Sequence, residues 1–480
     1  MGKSSFSKET TLLYGAYLLA TFEDRAWSFC VSLCMELLGG MQLVSIEQLF
    51  EGVVQMLLSG HIGKIFDGLT RKQAIQVVMP INNFSLIIAS AFFVGCLQFP
   101  NGSIWYTVCL ILGILFCAIN KLFLAAEKFI VGRDWVVVLG SINTLADLNA
   151  TLTFLDQTTN VLAPMVVGIL LSMTSLKVTC AIFGSASLVS FILKAIFLKT
   201  LYEAEPQLRK PKEHLLEKST QSIFSAALGM SFLFMTVMGF DGLAIGYGMS
   251  IGVPEFIIGI FRSYGSFMGI MGAISYAFFE KRLGVRKSGL MGLVIQQIFV
   301  VLAVGSIWLP GSPMDLAGYF GNFTVKNWWS TLEDAFDGKL NLTASSSDVD
   351  WKHFTSNGNS LISIFIFLFA IANARYGLWL LDLCITQIMQ VNILESERNT
   401  VFGVHNALCQ SFSVLKDLLV IALPEPTTFG LCILISYAFV TVGHVCYVFY
   451  VIKYPRDSLD YVFKPVSNEK EDYENEVTKL

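Results

Sequence analysis

Residues 21–29 read TFEDRAWSF, in the middle of an apolar run that begins near Leu12 and ends near Leu38. Three consecutive charges, Glu23, Asp24 and Arg25, interrupt the run. A helix that crosses a bilayer needs about 20 mostly apolar residues. A charge inside such a helix is costly, so it faces a partner or a water-filled cavity. The stretch therefore reads as a first membrane helix lining a polar pathway, with the rest of the chain built around it as a transporter. The alternative is a charge cluster at a membrane surface. Apolar sequence on both sides, about half a span each way, favours the interior.

Composition agrees. The 480 residues are 54% hydrophobic and 14% charged, with 39 Phe. Mean hydropathy is +0.63. Soluble chains carry about 25% charged residues, so the chain reads as a polytopic membrane protein embedded in lipid. The net charge of −4 gives no reason to expect a nucleic-acid partner. The 10 cysteines fall almost entirely in apolar segments and form no CxxC pair, which argues against a disulfide framework and a structural zinc site. The short polar segment before the first apolar run has no cleavable-signal pattern.

Run lengths predict an all-α protein of about twelve spans, near 11–38, 43–66, 73–98, 103–130, 145–172, 176–199, 221–247, 253–279, 287–309, 359–390, 400–424 and 427–453. Polar residues 200–220 divide it into two six-helix halves, 1–199 and 221–454, followed by a tail at 455–480. Lys and Arg cluster after alternate spans (Arg71, Lys72; Lys128, Arg133; Lys199, Arg209, Lys210; Lys281, Arg282), which places both termini in the cytoplasm. The long outer loop, 310–358, holds Asn322-Phe-Thr and Asn341-Leu-Thr. Both match the N-glycosylation pattern and lie on the expected outer side, so Asn322 and Asn341 are the expected carriers and the plasma membrane the expected site. Asn149-Ala-Thr lies within a span and is expected to stay unmodified.

Between spans two and three, Gly63-Lys-Ile-Phe-Asp67-Gly-Leu-Thr-Arg71 resembles the G-x-x-x-D-x-x-x-R loop of the major facilitator superfamily. Gly63 permits close helix approach, and Asp67 and Arg71 can pair across an interface that opens and closes. Asp134, Asn149, Gln157 and Arg398 also fall at or near expected cytoplasmic helix ends. They are either solvated or joined across the halves as an inner gate of charge-assisted hydrogen bonds. Glu47 and Glu51, one turn apart in span two, either join the cavity of the N-terminal half or cap its outer end. No phosphate loop, catalytic triad or zinc-protease spacing occurs, so a membrane enzyme is not expected.

Several blocks together resemble the ferroportin (solute carrier family 40) iron exporters: GRDWVVVLG (132–140), LADLNATLTFLDQTTNVLAPMVVG (145–168), FMTVMGFDGLAIGYG (234–248), ARYGLWLLDLCITQ (374–387), ILESER (393–398) and LPEPTTFGLCILIS (423–436). The resemblance implies a major-facilitator fold that exports Fe²⁺ by alternating access, with iron as cargo and no cofactor. It assigns a metal site to Asp24, with Ser28 where the family often has histidine and Asn82 nearby. It assigns the inner gate to Asp67, Arg71, Asp134, Asn149, Gln157 and Arg398. The C-terminal half departs: after Asp241 the family cysteine is Gly242, and Lys416 stands where the family has histidine. Fe²⁺ is usually held by imidazole, thiolate and carboxylate, so that second site is expected to be absent or rebuilt. The vertebrate family is a receptor for the peptide hormone hepcidin through that cysteine, so hepcidin regulation is not expected. Lys416 and Lys194 leave open a changed, organic-anion substrate, or lysines standing in for a bound cation; a non-transporting regulatory relative is a separate alternative.

Overall fold

The computed structural model describes residues 8–100, 103–140, 142–211, 223–239, 242–336, 349–356 and 358–454. It is helical, with α1 (Lys8–Asp67), α2 (Arg71–Cys96), α3 (Ile104–Phe129), α4 (Val136–Leu139), α5 (Ile142–Met173) and α6 (Leu176–Ala204) in the first half. The second half holds α7 (Phe224–Phe232), α8 (Gly242–Ser250), α9 (Glu255–Leu283), α10 (Val285–Gly305), α11 (Leu316–Asn322), α12 (Val325–Phe336), α13 (Ile362–Asn392), α14 (Arg398–Ala422) and α15 (Pro426–Lys453). Among the described residues, 8 helical stretches are long and apolar enough to cross a membrane. The two arms of α1, the interrupted α7–α8 pair and α14 complete a bundle of the expected kind.

α1 is assigned as helix over 60 residues. Straight, it would run about 90 Å, three times the hydrocarbon thickness of a bilayer. It doubles back instead. Leu13 and Phe66 lie in one core cluster, and Trp27 and Glu47 both reach Cys117 of α3. The two expected spans are therefore its two arms, and the reversal falls between Trp27 and Glu47.

Two expected boundaries change. The span near 103–130 continues through a π-helical turn (Ile130–Trp135) into α4, ending at Leu139. Such wide turns recur at functional positions, and this one carries Asp134. The span near 221–247 is broken: residues 233–239 are not helical. Apolar run length cannot register such a break, because the unwound segment is as apolar as a helix. Backbone groups freed inside a membrane need internal partners, and the Val237 N–H donates to Ser436 Oγ at 3.0 Å. Asp241 lies outside the described residues.

The stretch 310–358 holds α11, α12 and three two-residue strands, Val349–Asp350, Thr355–Ser356 and Asn359–Ser360, paired antiparallel in sequence order. Asn322 ends α11 and is exposed; Asn341 is outside the described residues. The 10 cysteines are free thiols.

Candidate functional site

Successive residues on a helix point about 100° apart. Glu23, Asp24 and Arg25 therefore leave α1 in three directions, and each meets a different helix. Glu23 accepts from Ser190 of α6 at 2.8 Å and pairs with Lys194 at 3.3 Å. Asp24 pairs with Lys121 of α3 at 2.6 Å and with Lys128 at 3.1 Å. Arg25 pairs with Asp156 of α5 at 3.1 Å. The run that interrupts the first apolar segment is thus the hub of the N-terminal half.

Asp24 and Ser28 come together: the Ser28 hydroxyl donates to the Asp24 carbonyl at 2.7 Å, and Lys121 also reaches the Ser28 oxygen. Asn82 belongs to the adjoining network. Its amide donates to Glu127 at 2.7 Å, and its oxygen accepts from Asn120 at 2.7 Å. Glu127 pairs in turn with Lys194 at 3.5 Å. Lys194 is 0% exposed and sits between Glu23 and Glu127, which carry its charge. A cation can take the Asp24 carboxylate only in exchange for lysine ammonium groups.

Sequence reading missed Lys121 and misplaced Lys128. Lys128 was assigned to a basic flank, yet its long stem carries the ammonium back to Asp24. Lys121 lies inside the span near 103–130, and an ionisable group within such a span is itself a signal. Glu47, Glu51 and Cys117 also converge here, with one ligating atom from each within 4.8 Å of the others.

The second constellation joins the two halves at the α1–α2 end. The Asp67 carboxylate caps α14 from across the interface. It accepts from the backbone N–H of Asn399 (3.2 Å) and Thr400 (2.6 Å), and from their side chains (2.9 and 2.7 Å). Carboxylates are favoured at helix N-termini, where backbone donors are free and the dipole is positive. Asp134, 1% exposed, bridges Arg71 (3.0 Å) and Arg398 (2.8 Å), and Arg71 also pairs with Glu395. Asn149 of α5 exchanges amide hydrogen bonds with Gln390 of α13 (2.6 and 3.2 Å). Gln157 accepts from Arg375 at 3.1 Å. Arg71, Asp134, Asn149, Gln157 and Arg398 are buried, Asp67 is half-buried, and all six are partnered; Arg71 and Asp134 bond to each other within the first half, and each of the six also bonds across to the other half.

Small residues let the arms meet. A Cβ at Gly63 would run into the Asn399 carbonyl oxygen, and one at Gly403 into that of Ser59. The second arm of α1 thus lies against α14 at backbone distance.

The C-terminal half has no matching metal cluster among the described residues. Gly242 begins α8, and Lys416 pairs with Asp417 at 3.3 Å. His444 is hydrogen-bonded to Gln296 (3.1 Å) and Gln297 (2.7 Å). His405 lies beside Ser231 (3.3 Å) and Cys409 (3.8 Å).

Comparison with known proteins follows the same lines. The model of the family described as Ferroportin1 (FPN1) matches residues 7–222 and 217–440. Human ferroportin is 28% identical, covering 91% of this chain and 90% of its own length. The zebrafish protein described as solute carrier family 40 member 1 is 28% identical over 92% of this chain and 91% of its own. Among solved structures, a bacterial homologue of the iron transporter ferroportin in an outward-facing state superimposes with a TM-score of 0.75, at 20% identity, over 93% of this chain and 100% of that one. Its inward-facing state gives 0.60, at 20% identity, over 93% and 99%.

Proposed function

The chain belongs to the ferroportin family, and on that footing we propose that it exports ferrous iron, or a related divalent metal, from the cell by alternating access. The observation that carries this reading is the seal at the α1–α2 end. Helices of the two halves meet there through Asp67 on the α14 N-terminus, the Arg71–Asp134–Arg398 chain and the Asn149–Gln390 pair. These are short, geometrically specific and reversible contacts, suited to a joint that opens. The higher TM-score to the outward-facing homologue supports reading this seal as the closed inner gate. On this reading both termini are cytoplasmic, the membrane is the plasma membrane, and Asn322 and Asn341 are glycosylated outside.

An organic-anion substrate finds less support, because both lysines that would favour it are engaged: Lys194 with Glu23 and Glu127, and Lys416 with Asp417.

The test is efflux of radiolabelled Fe²⁺, Co²⁺ and Zn²⁺ from cells expressing the chain, with Asp24→Ala beside it. The chain should drive efflux. Asp24→Ala should cut it at least about ten-fold, because two ammonium groups lose their carboxylate and repel a cation. Surface-located, well-expressed protein without efflux of any of the three metals defeats the proposal. Hepcidin control is not part of it, since Gly242 offers no thiol. Fluorescent hepcidin should show no saturable binding to these cells, and saturable binding would remove that point.

A further inference from the structure

We propose that Glu47, Glu51 and Cys117 form a divalent-metal site in the N-terminal half of this chain. The inference deepens the metal-export reading and rests on it for the identity of the cargo. Glu47 and Glu51 are four residues apart, so they share one face of the second arm of α1. Cys117 of α3 faces them, with one ligating atom from each residue within 4.8 Å of the others. Metal bonds of about 2.0–2.3 Å set neighbouring ligand atoms roughly 3.3–3.8 Å apart. The three groups therefore need to close by about an ångström, within the reach of glutamate rotamers.

Three further observations point to a cation there. The carboxylates of Glu47 and Glu51 bring oxygens within 4.8 Å of each other. Two carboxylate charges this close repel in a buried setting, and a cation between them relieves that repulsion. Neither glutamate is in an ion pair with Lys or Arg among the described residues. The nearby ammonium of Lys121 is held on Asp24 at 2.6 Å and by Ser28. The third observation is independent of the carboxylates. The indole of Trp27 is 1% exposed, its N–H has no hydrogen-bond partner, and it packs in the same buried cluster as Cys117. A neutral thiol is a weak acceptor. A metal-bound thiolate is a good one, and outer donors of this kind fix and tune a ligand.

The donor set states the preference. Two carboxylate oxygens and one thiolate suit Fe²⁺, Co²⁺ or Zn²⁺, whereas Ca²⁺ and Mg²⁺ take oxygen alone. Glu47 and Cys117 are buried and Glu51 is half-buried, so the site is open on the Glu51 side. Three protein ligands leave a coordination position for water, as an ion that must be released requires.

The test uses the purified full-length protein in detergent, titrated with Co²⁺ and read by equilibrium dialysis and near-ultraviolet absorption. Saturable binding should bring a thiolate-to-cobalt charge-transfer band. Glu47→Gln with Glu51→Gln should weaken binding about 100-fold or more, beyond the 10–100-fold typical of an outer partner. Cys117→Ser should remove the band while leaving weaker binding. Absorption at the cobalt edge of the unsubstituted protein should give one sulfur at about 2.3 Å. That measurement needs no variant to fold, and a shell without sulfur overturns the proposal. So does binding that survives the double glutamine variant, or that is lost in Asp24→Asn but kept in the double variant. Fe²⁺ efflux separates the two readings. Intact Co²⁺ binding at this site without efflux upholds the site and defeats export. Efflux with Co²⁺ binding indifferent to Glu47 and Glu51 does the reverse.

Discussion

Asp67 concentrates four hydrogen bonds on the first residues of a helix from the other half. Losing an N-cap costs about 0.5–2 kcal/mol, and the charge–dipole contribution adds about 0.3–1 kcal/mol. Asp67→Ala should therefore weaken the closed seal by about 1–3 kcal/mol, a shift of roughly five- to 150-fold in the closed-to-open ratio. Spin labels placed across the α1–α14 joint would show a longer distance population in that variant; unchanged distances would mean the cap does not hold the seal. Lys194 tests a different quantity. Lys194→Met leaves buried Glu127 and half-buried Glu23 without their cation, which costs about 3–5 kcal/mol. The yield of monodisperse protein should collapse, and Glu23→Gln with Glu127→Gln should recover it by removing the stranded charges. Failure of that rescue would assign Lys194 another role.

At the scale of elements, the broken α7–α8 helix shows what an apolar pattern conveys and what it omits. Ser436→Ala would leave the Val237 N–H unmatched within the bundle, at about 1–3 kcal/mol. The apparent melting temperature in detergent should fall, and an unchanged melt would show that the unwound segment finds another acceptor. The helical membrane class and the long apolar spans were legible because both depend on run length and composition. The break was not, since Gly239 and Gly242 sit in a sequence apolar enough for a helix. Partners that converge from distant helices were illegible for a similar reason. Nothing local to Asp24 names Lys121, 97 residues away, and nothing local to Glu47 names Cys117. Glu47 and Glu51 were legible as a polar pair on one face, but their alternatives, cavity or cap, needed α3 in place.

For the whole molecule, the seal must be strong enough to close yet weak enough to yield to cargo. A ligand moves a two-state equilibrium from 1:99 to 99:1 only by binding one state about 5.5 kcal/mol more tightly. Releasing Asp67 from α14 and Asn149 from Gln390 costs roughly 0.5–3 kcal/mol for each contact, which sets the scale of differential metal binding that the proposed cycle requires. The charge hub of α1 has a consequence of another kind, in the order of synthesis. The first arm emerges from the ribosome carrying Glu23, Asp24 and Arg25, each costing about 2.5–3.5 kcal/mol at a bilayer centre by insertion measurements. Its partners come later: Lys121, then Asp156, then Lys194, with 167 residues between Glu23 and Ser190. The arm that leads the chain therefore waits for five later crossings before all its charges are matched. Substitutions at those distant partners should act during biogenesis, as retention by the translocation and quality-control machinery, before any cargo is moved.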